Sequence, residues 1–335
     1  MTRIPYAEML QTLQEILQRY NFSDERAELC ARLFVDASRD GVYSHGLNRF
    51  PRFIRFIEKG YVRPQARPLR IKKMGSLEQW DGQQGPGNLN AWFCMDRAIQ
   101  LAREHGMGLV ALRHTNHWMR GGNYGWQAAD AGMMGICFTN TTPNMPAWGT
   151  KDPVLGNNPL IIAIPREEGH VVLDTAMTQF SFGKIESYRR AGKLLPVEGG
   201  FDEEGKLTRD AAAIEASRRA LPFGFWKGSG LSLVLDLMAS MLSGGLSTIQ
   251  IEGQDEADEY NLSQVFLVIN PDSLGEARHY QAVLRQAIEA IHQATPAERG
   301  GDILYPGERT LRTRQENLQK GIPVDEGYWE EIVAM

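Results

Sequence analysis

The stretch Tyr43-Ser44-His45-Gly46-Leu47-Asn48-Arg49-Phe50 sets an imidazole and a guanidinium four residues apart. On a helix that spacing puts both side chains on one face. An imidazole that titrates near neutrality can donate a proton to a developing alkoxide. A guanidinium beside it can grip a carboxylate through two hydrogen bonds. Together they suit reduction of a ketone on an acidic substrate. The spacing alone fits equally a structural histidine and a surface ion pair. Arg52 and Arg55 make the same segment basic, and a charge run is usually a solvated face.

A second constellation is His114-Thr115-Asn116-His117-Trp118-Met119-Arg120-Gly121-Gly122. It falls where a strand should run into a helix, a position that often lines a ligand site in layered α/β folds. Gly121 and Gly122 would free backbone N–H groups for an anion. His114 and His117 form an HxxH pair, but a zinc site needs at least three protein ligands. No third is evident, so no metal is expected, and His117 reads as a substrate contact or orienting group. Trp118 and Trp126 read as core. A third segment, Pro222 to Gly230, offers Gly228 and Gly230 to a phosphate with Lys227 as counter-charge. A plain helix-entry turn fits those residues as well. Asp174 ends a strand-like run and could bond a ligand or orient a histidine. Asn157 and Asn158 sit in a turn. GxGxxG, P-loop, nucleophile-elbow and HExxH patterns are absent.

These residues must be held by a large soluble fold. The 335 residues are 42% hydrophobic and 23% charged, with a net charge of −5. That balance supports a sizeable core and argues against a nucleic-acid partner. Cys30, Cys94 and Cys137 are scattered and odd in number, which suits a reducing, cytoplasmic setting. No apolar core follows the charged start, and no run approaches the ~20 apolar residues that span a bilayer.

Residues 5–20 and 23–40 read as amphipathic helices, with Ser23 as an N-cap. A third helix is expected over 46–58 despite Pro51. From residue 69 strands alternate with helices: strands at 71–74, 77–80, 108–112, 134–139, 160–164, 171–173 and 265–269, helices at 91–105, 124–131, 230–242 and 277–292. Two short helices flank Gly321-Ile322-Pro323 at the end. Residues 141–158 and 196–206 read as long loops. The pattern predicts an α/β fold with three parts: a helical N-terminal subdomain (1–68), an α/β cofactor- and substrate-binding core (69–298) and a C-terminal helical segment (299–335).

Taken together the motifs resemble the malate/L-lactate dehydrogenase family. The resemblance is carried by Tyr43-Ser44-His45-Gly46, His117 before a glycine pair, Leu155-Gly156-Asn157-Asn158-Pro159, Asp174 and Trp226-Lys227-Gly228, in family order. Three stretches, 48–54, 78–81 and 117–128, are similar to a subgroup that reduces keto sugar acids. The resemblance implies a layered mixed sheet with flanking helices, a non-Rossmann NAD-binding fold in which the N-terminal and C-terminal helices pack together. It implies a homodimer using NADH, with NADPH as the alternative, on a small keto sugar acid such as 2,3-diketo-L-gulonate. His45 matches the proton donor, with Arg49, His117 and Asp174 as further catalytic candidates. The residues matching cofactor segments are His170, Val171, Val172, Leu173, Asp174, Thr175 and Ala176, then Trp226 and Lys227, then Pro306, Gly307 and Glu308. Asn123, Asn157 and His114 depart from the pattern, which has serine, threonine and asparagine there. Two rival readings are a malate/lactate-type 2-hydroxy-acid dehydrogenase and a non-redox sugar-acid binding protein or lyase using His114 and His117.

Overall fold

The computed structural model describes residues 2–252, 259–273, 275, 277–297 and 301–335. The chain opens with a short strand, β1 (Arg3–Ile4), and two helices, α1 (Tyr6–Arg19) and α2 (Asp24–Arg39). Met9, Leu13, Ile16 and Leu17 form the buried stripe of α1, at the spacing an amphipathic helix requires. Ser23 has the extended backbone of an N-cap, but its hydroxyl makes no cap bond.

The expected helix over 46–58 is corrected. Tyr43–His45 and Leu47–Arg49 form two single 3₁₀ turns that meet at Gly46, and α3 covers Phe50–Glu58. Pro51 lies in the first turn of α3. With no N–H to give and a ring against the preceding turn, it cannot continue a helix from upstream.

Next come β2 (Leu69–Met74), β3 (Leu77–Asp81), α4 (Gly87–His105), β4 (Met107–Thr115), α5 (Gly122–Asp130) and β5 (Met134–Thr139). A small pair, β6 (Met145–Pro146) and β7 (Pro153–Leu155), interrupts the first long loop before β8 (Leu160–Ile164) and β9 (Val171–Thr175). A side lobe then holds α6 (Phe182–Arg190), the hairpin strands β10 (Gly200–Phe201) and β11 (Leu207–Thr208), and α7 (Ala211–Ser217). It is followed by α8 (Trp226–Ser243), α9 (Thr248–Glu252), β12 (Leu262–Ile269) and α10 (Ala277–Gln293). The chain finishes with α11 (Glu308–Lys320), β13 (Ile322–Pro323) and α12 (Glu326–Val333).

The central sheet runs β2-β3-β4-β12-β5-β8-β9, and only β3 and β4 pair in parallel. Neighbouring residues of its strands serve opposite faces, as the pleat requires. Phe266 and Val268 join the core under α4 and α5, while Val265 joins a second core under α8. The side lobe has its own small core around Ile185, Leu195 and Ile214. Its helix α6 escapes sequence reading because it buries Ile185 alone. Among the described residues no helix is long and apolar enough to cross a membrane.

The two ends of the chain share one core. β1 pairs antiparallel with β13, and Ile322, Val324 and Ile332 pack with residues of α1, α2 and α3. The boundary expected between 298 and 299 lies outside the described residues.

Asp40, just past α2, ties these parts together. Its carboxylate accepts hydrogen bonds from Arg39, from Arg120 at 2.5 Å and from two nitrogens of Arg314 at 2.8 and 2.7 Å. Burial works to raise its pKa, but Arg314, Arg120 and Arg39 outweigh that and hold it well below the usual carboxylate range. The resulting stabilisation is fully present above the ordinary value of 3.8 and is lost as pH falls through the lower, folded-state value. Replacing Asp40 would strand the buried Arg120, an uncompensated charge that typically costs about 3–5 kcal/mol. Urea denaturation of Asp40→Asn should show a loss of that order, whereas a loss below ~1 kcal/mol would refute the network's role.

Candidate active site

The 3₁₀ turns, α3, the loop after β4, β9, α6 and the start of α11 surround a cleft of about 2020 Å³. That exceeds the ~300–1,000 Å³ of a typical small-ligand pocket and leaves room for two ligands. His45, Arg49 and His117 all line it. His45 and Arg49 thus converge, although from successive 3₁₀ turns rather than from one helical face.

His45 is half-buried and lines the cleft. Ser44 Oγ lies 2.9 Å from His45 Nδ1, which leaves Nε2 as the edge for proton transfer. The His117 ring stacks near it, with centroids 5.8 Å apart and planes at 28°. Met119 N–H donates to His117 Nδ1 at 3.0 Å, so a neutral His117 carries its proton on Nε2. Burial, then the positive charges of Arg49 and Arg120, lower His45 to about 4. Burial, Arg49, His45 and Arg52 push His117 down in the same direction. Arg49 is itself lowered to about 10 by burial and by Arg52, against the attraction of Glu259. Arg49 and Arg120 thus set positive charge against His45, which favours an anion there, while the Glu259 carboxylate faces His117.

Asp174 lies on β9 and lines the same cleft. Its Oδ2 accepts from Gly122 N–H at 2.9 Å and stands 3.9 Å from Arg120 Nε. The anion expected at the glycine pair is this carboxylate of the protein itself. Crowding by protein atoms raises the Asp174 carboxyl, while Arg120 and the Gly122 amide pull it down. Its hydrogen bond goes to a backbone amide and not to a histidine.

The expected cofactor segments divide. Val172, Leu173, Asp174, Ala176, Pro306 and Gly307 line the cleft. Val171 and Thr175 belong to β9 but do not line it. The His170 imidazole turns away, accepting from Arg166 N–H and lying 3.0 Å from Asp130. Glu308 bonds His292 and Arg312 instead. Trp226 and Lys227 start α8 outside this chain's cleft. His114 lies 2.8 Å from Asp81 and outside the cleft, so the HxxH pair does not converge on one point. Among the described residues no group of three or more His, Cys, Asp or Glu side chains could hold a metal ion. Of the departures, Asn157 lines the cleft, while Asn123 is buried with its amide on Leu33 O.

Three residues of the site carried no readable role in the sequence. Arg120 stood within a recognised motif, yet its partner Asp40 is far away in the chain. Glu259 ends an acidic run, a pattern that ordinarily marks a solvated loop. Thr142 sits in the long loop after β5 and bonds Glu259.

The sequence profile of the malate/L-lactate dehydrogenases matches residues 4–333. The chain belongs to that family. It is 46% identical to the 2,3-diketo-L-gulonate reductases of Citrobacter koseri and Escherichia coli, over 99% of this chain and 100% of theirs. Solved structures agree. Sulfolactate dehydrogenase from Methanocaldococcus jannaschii superposes with a TM-score of 0.91 at 29% identity, over 99% of this chain and 95% of that one. Malate dehydrogenase from Entamoeba histolytica gives 0.93 at 26% identity, over 99% and 96%. This member is accordingly an oxidoreductase on a mixed sheet distinct from the Rossmann fold, and its family uses a nicotinamide cofactor.

Arg49 depresses His45 by charge repulsion, so deleting that charge must let the imidazole titrate higher. In Arg49→Gln the His45 resonance, followed by NMR across pH 3–8, should titrate measurably above its wild-type midpoint, towards 6.5. An unchanged midpoint would show that Arg49 does not set the potential at His45.

Proposed function

We propose that this enzyme reduces a keto sugar acid of the 2,3-diketo-L-gulonate type to the corresponding 3-dehydro-L-gulonate, with NADH as reductant. The observation that carries the reading is the convergence of His45 and Arg49 in one cleft. The full-length similarity to reductases named for that substrate supports the choice of ketone.

The cleft walls suit a dinucleotide. Val172 N–H donates to Pro306 O at 2.9 Å, joining β9 to the start of α11. Gly307 has φ +99°, and a Cβ there would lie 3.0 Å from Val172 N, so only glycine lets the two segments close into one wall. That wall offers the exposed Leu173 side chain and a helix N-terminal turn, features that suit a ring and a phosphate. The bound cofactor supplies hydride to the ketone carbon. Arg49 holds the substrate carboxylate, and His45 delivers the proton to the ketone oxygen as charge develops there. The carboxylate offsets the positive charge that depresses His45, so the anionic substrate itself helps to protonate its donor.

NADH is favoured over NADPH by the pairing of nearby arginines. Arg189 is bound to Glu215, and Arg190 to Glu186 and Tyr328. A 2′-phosphate would have to compete with those glutamates. A malate- or lactate-type substrate is the second reading, supported by the structural neighbours named for such acids. Three buried free thiols, Cys30, Cys94 and Cys137, fit a cytoplasmic enzyme.

With purified protein, NADH oxidation should be faster on 2,3-diketo-L-gulonate than on oxaloacetate or pyruvate. His45→Ala should lower that turnover by ~10²–10⁴-fold, the usual worth of general acid catalysis, while NADH binding by fluorescence persists. Near-normal turnover would remove His45 from the chemistry.

A homodimer is part of the proposal. On α8 the side chains of Leu233, Val234, Leu237, Met238 and Met241 are exposed, Met241 by 78%. An apolar face of this kind marks an association surface. A partner packed on it would also give Trp226 and Lys227, at the start of the helix, a route to a cofactor site shared between copies. Met241→Asp should shift the protein from dimer to monomer in sedimentation and weaken NADH binding. A variant that stays dimeric would place the interface elsewhere.

A further inference from the structure

Glu259 is 8% exposed and lines the cleft. Its Oε2 accepts from Thr142 Oγ1 at 3.2 Å. Its Oε1 has no hydrogen-bond partner among the described residues. A carboxylate oxygen left so is expensive, because burial has stripped its water. His117 Nε2 stands 3.8 Å from it. That is too long for a hydrogen bond. The Nε2 edge carries a proton, because Met119 N–H occupies Nδ1. A donor and an acceptor therefore face each other across a gap slightly too wide to close.

A hydroxyl group lying beside the two atoms, at hydrogen-bond distance from each, bridges such a pair. Its oxygen accepts from His117 Nε2–H, and its proton goes to Glu259 Oε1. A ketone or ether oxygen has no proton to give, and a carboxylate would set a second negative charge against Glu259. His117 in turn stacks beside His45, with ring centroids 5.8 Å apart, so the pair borders the proposed reacting centre. With the acid group held at Arg49 and the ketone at His45, a carbon chain extending within the same cleft reaches the neighbouring His117 and Glu259.

We propose that Glu259 and His117 form the subsite for a hydroxyl on the substrate's carbon chain, and that Glu259 sets the preference for a polyhydroxy keto acid over a simple one. This rests on the reading of His45 and Arg49 as the centre that takes a keto acid. Glu259 acts on specificity and takes no part in moving the proton to the ketone.

The test compares kcat/KM for 2,3-diketo-L-gulonate, pyruvate and oxaloacetate in wild type, Glu259→Ala and Glu259→Gln, all with NADH. In Glu259→Ala the preference for the sugar acid over pyruvate should fall by roughly 10- to 100-fold, the worth of a hydrogen bond to a charged group. Glu259→Gln keeps an acceptor oxygen and should fall less. Both variants should gain on oxaloacetate relative to pyruvate, because a negative charge beside the dianion is gone. Thermal melting and NADH fluorescence report whether each variant is folded. A merely structural role would lower all three substrates together, and an unchanged preference in folded Glu259→Ala would overturn the proposal. If wild type fails to reduce 2,3-diketo-L-gulonate, the underlying reading of the substrate fails instead. A loss confined to hydroxylated acids in the variants supports the subsite.

Discussion

The carboxylate of Asp40 gathers guanidiniums from three parts of the chain, and the geometry of the cleft hangs on that gathering. Arg39 belongs to α2, Arg314 to α11 and Arg120 to the loop that also carries His117. Charges this buried are stable only when paired and hydrogen-bonded. The pairing thus fixes where three elements can stand. Arg120 then faces Asp174, and Asp174 caps the amide of Gly122. One chain of polar contacts runs from the N-terminal helices through the loop of the second histidine to the edge strand β9.

The same arrangement gives the site its electrical character. Burial first, and then Arg49 and Arg120, oppose protonation of His45, so the proposed general acid is held in its neutral form partly by the group that attracts an anion. This is a conflict only while those charges are uncompensated. In the proposed reaction an acidic ligand satisfies Arg49 and relaxes its share of the opposition in one step, which would link selection of substrate to readiness of the acid. A neutral ketone would gain neither benefit.

Much of the fold was readable because its strands are short apolar runs between turn formers. Strands β5 and β8 run from Met134 to Thr139 and from Leu160 to Ile164, the bounds expected from the sequence. Helix α6 was not readable, since a lone buried Ile185 gives no periodic signal. The site divides in the same way. His45 and Arg49 could be paired from their spacing, although two 3₁₀ turns and not a helix bring them together. Asp174 could be singled out at a strand end, but not its bond to Gly122, which depends on how β9 lies against α5. Glu259 and His117, 3.8 Å apart in the cleft, are far apart in sequence and share no motif. Such pairings arise from the sheet order β4-β12-β5 and from packing, neither of which local pattern encodes.

The antiparallel contact between β1 and β13 carries a temporal consequence. Ile322, Val324 and Ile332 complete the apolar core beneath α3 and the turns that hold His45 and Arg49. During synthesis those turns exist long before the segments that brace them. A growing chain can form much of its local structure early, but the wall bearing His45 closes only once residues 322–332 have joined its core. The site is thereby braced by contacts of long sequence separation, which form slowly, and a chain lacking residues 322–332 would be denied that brace.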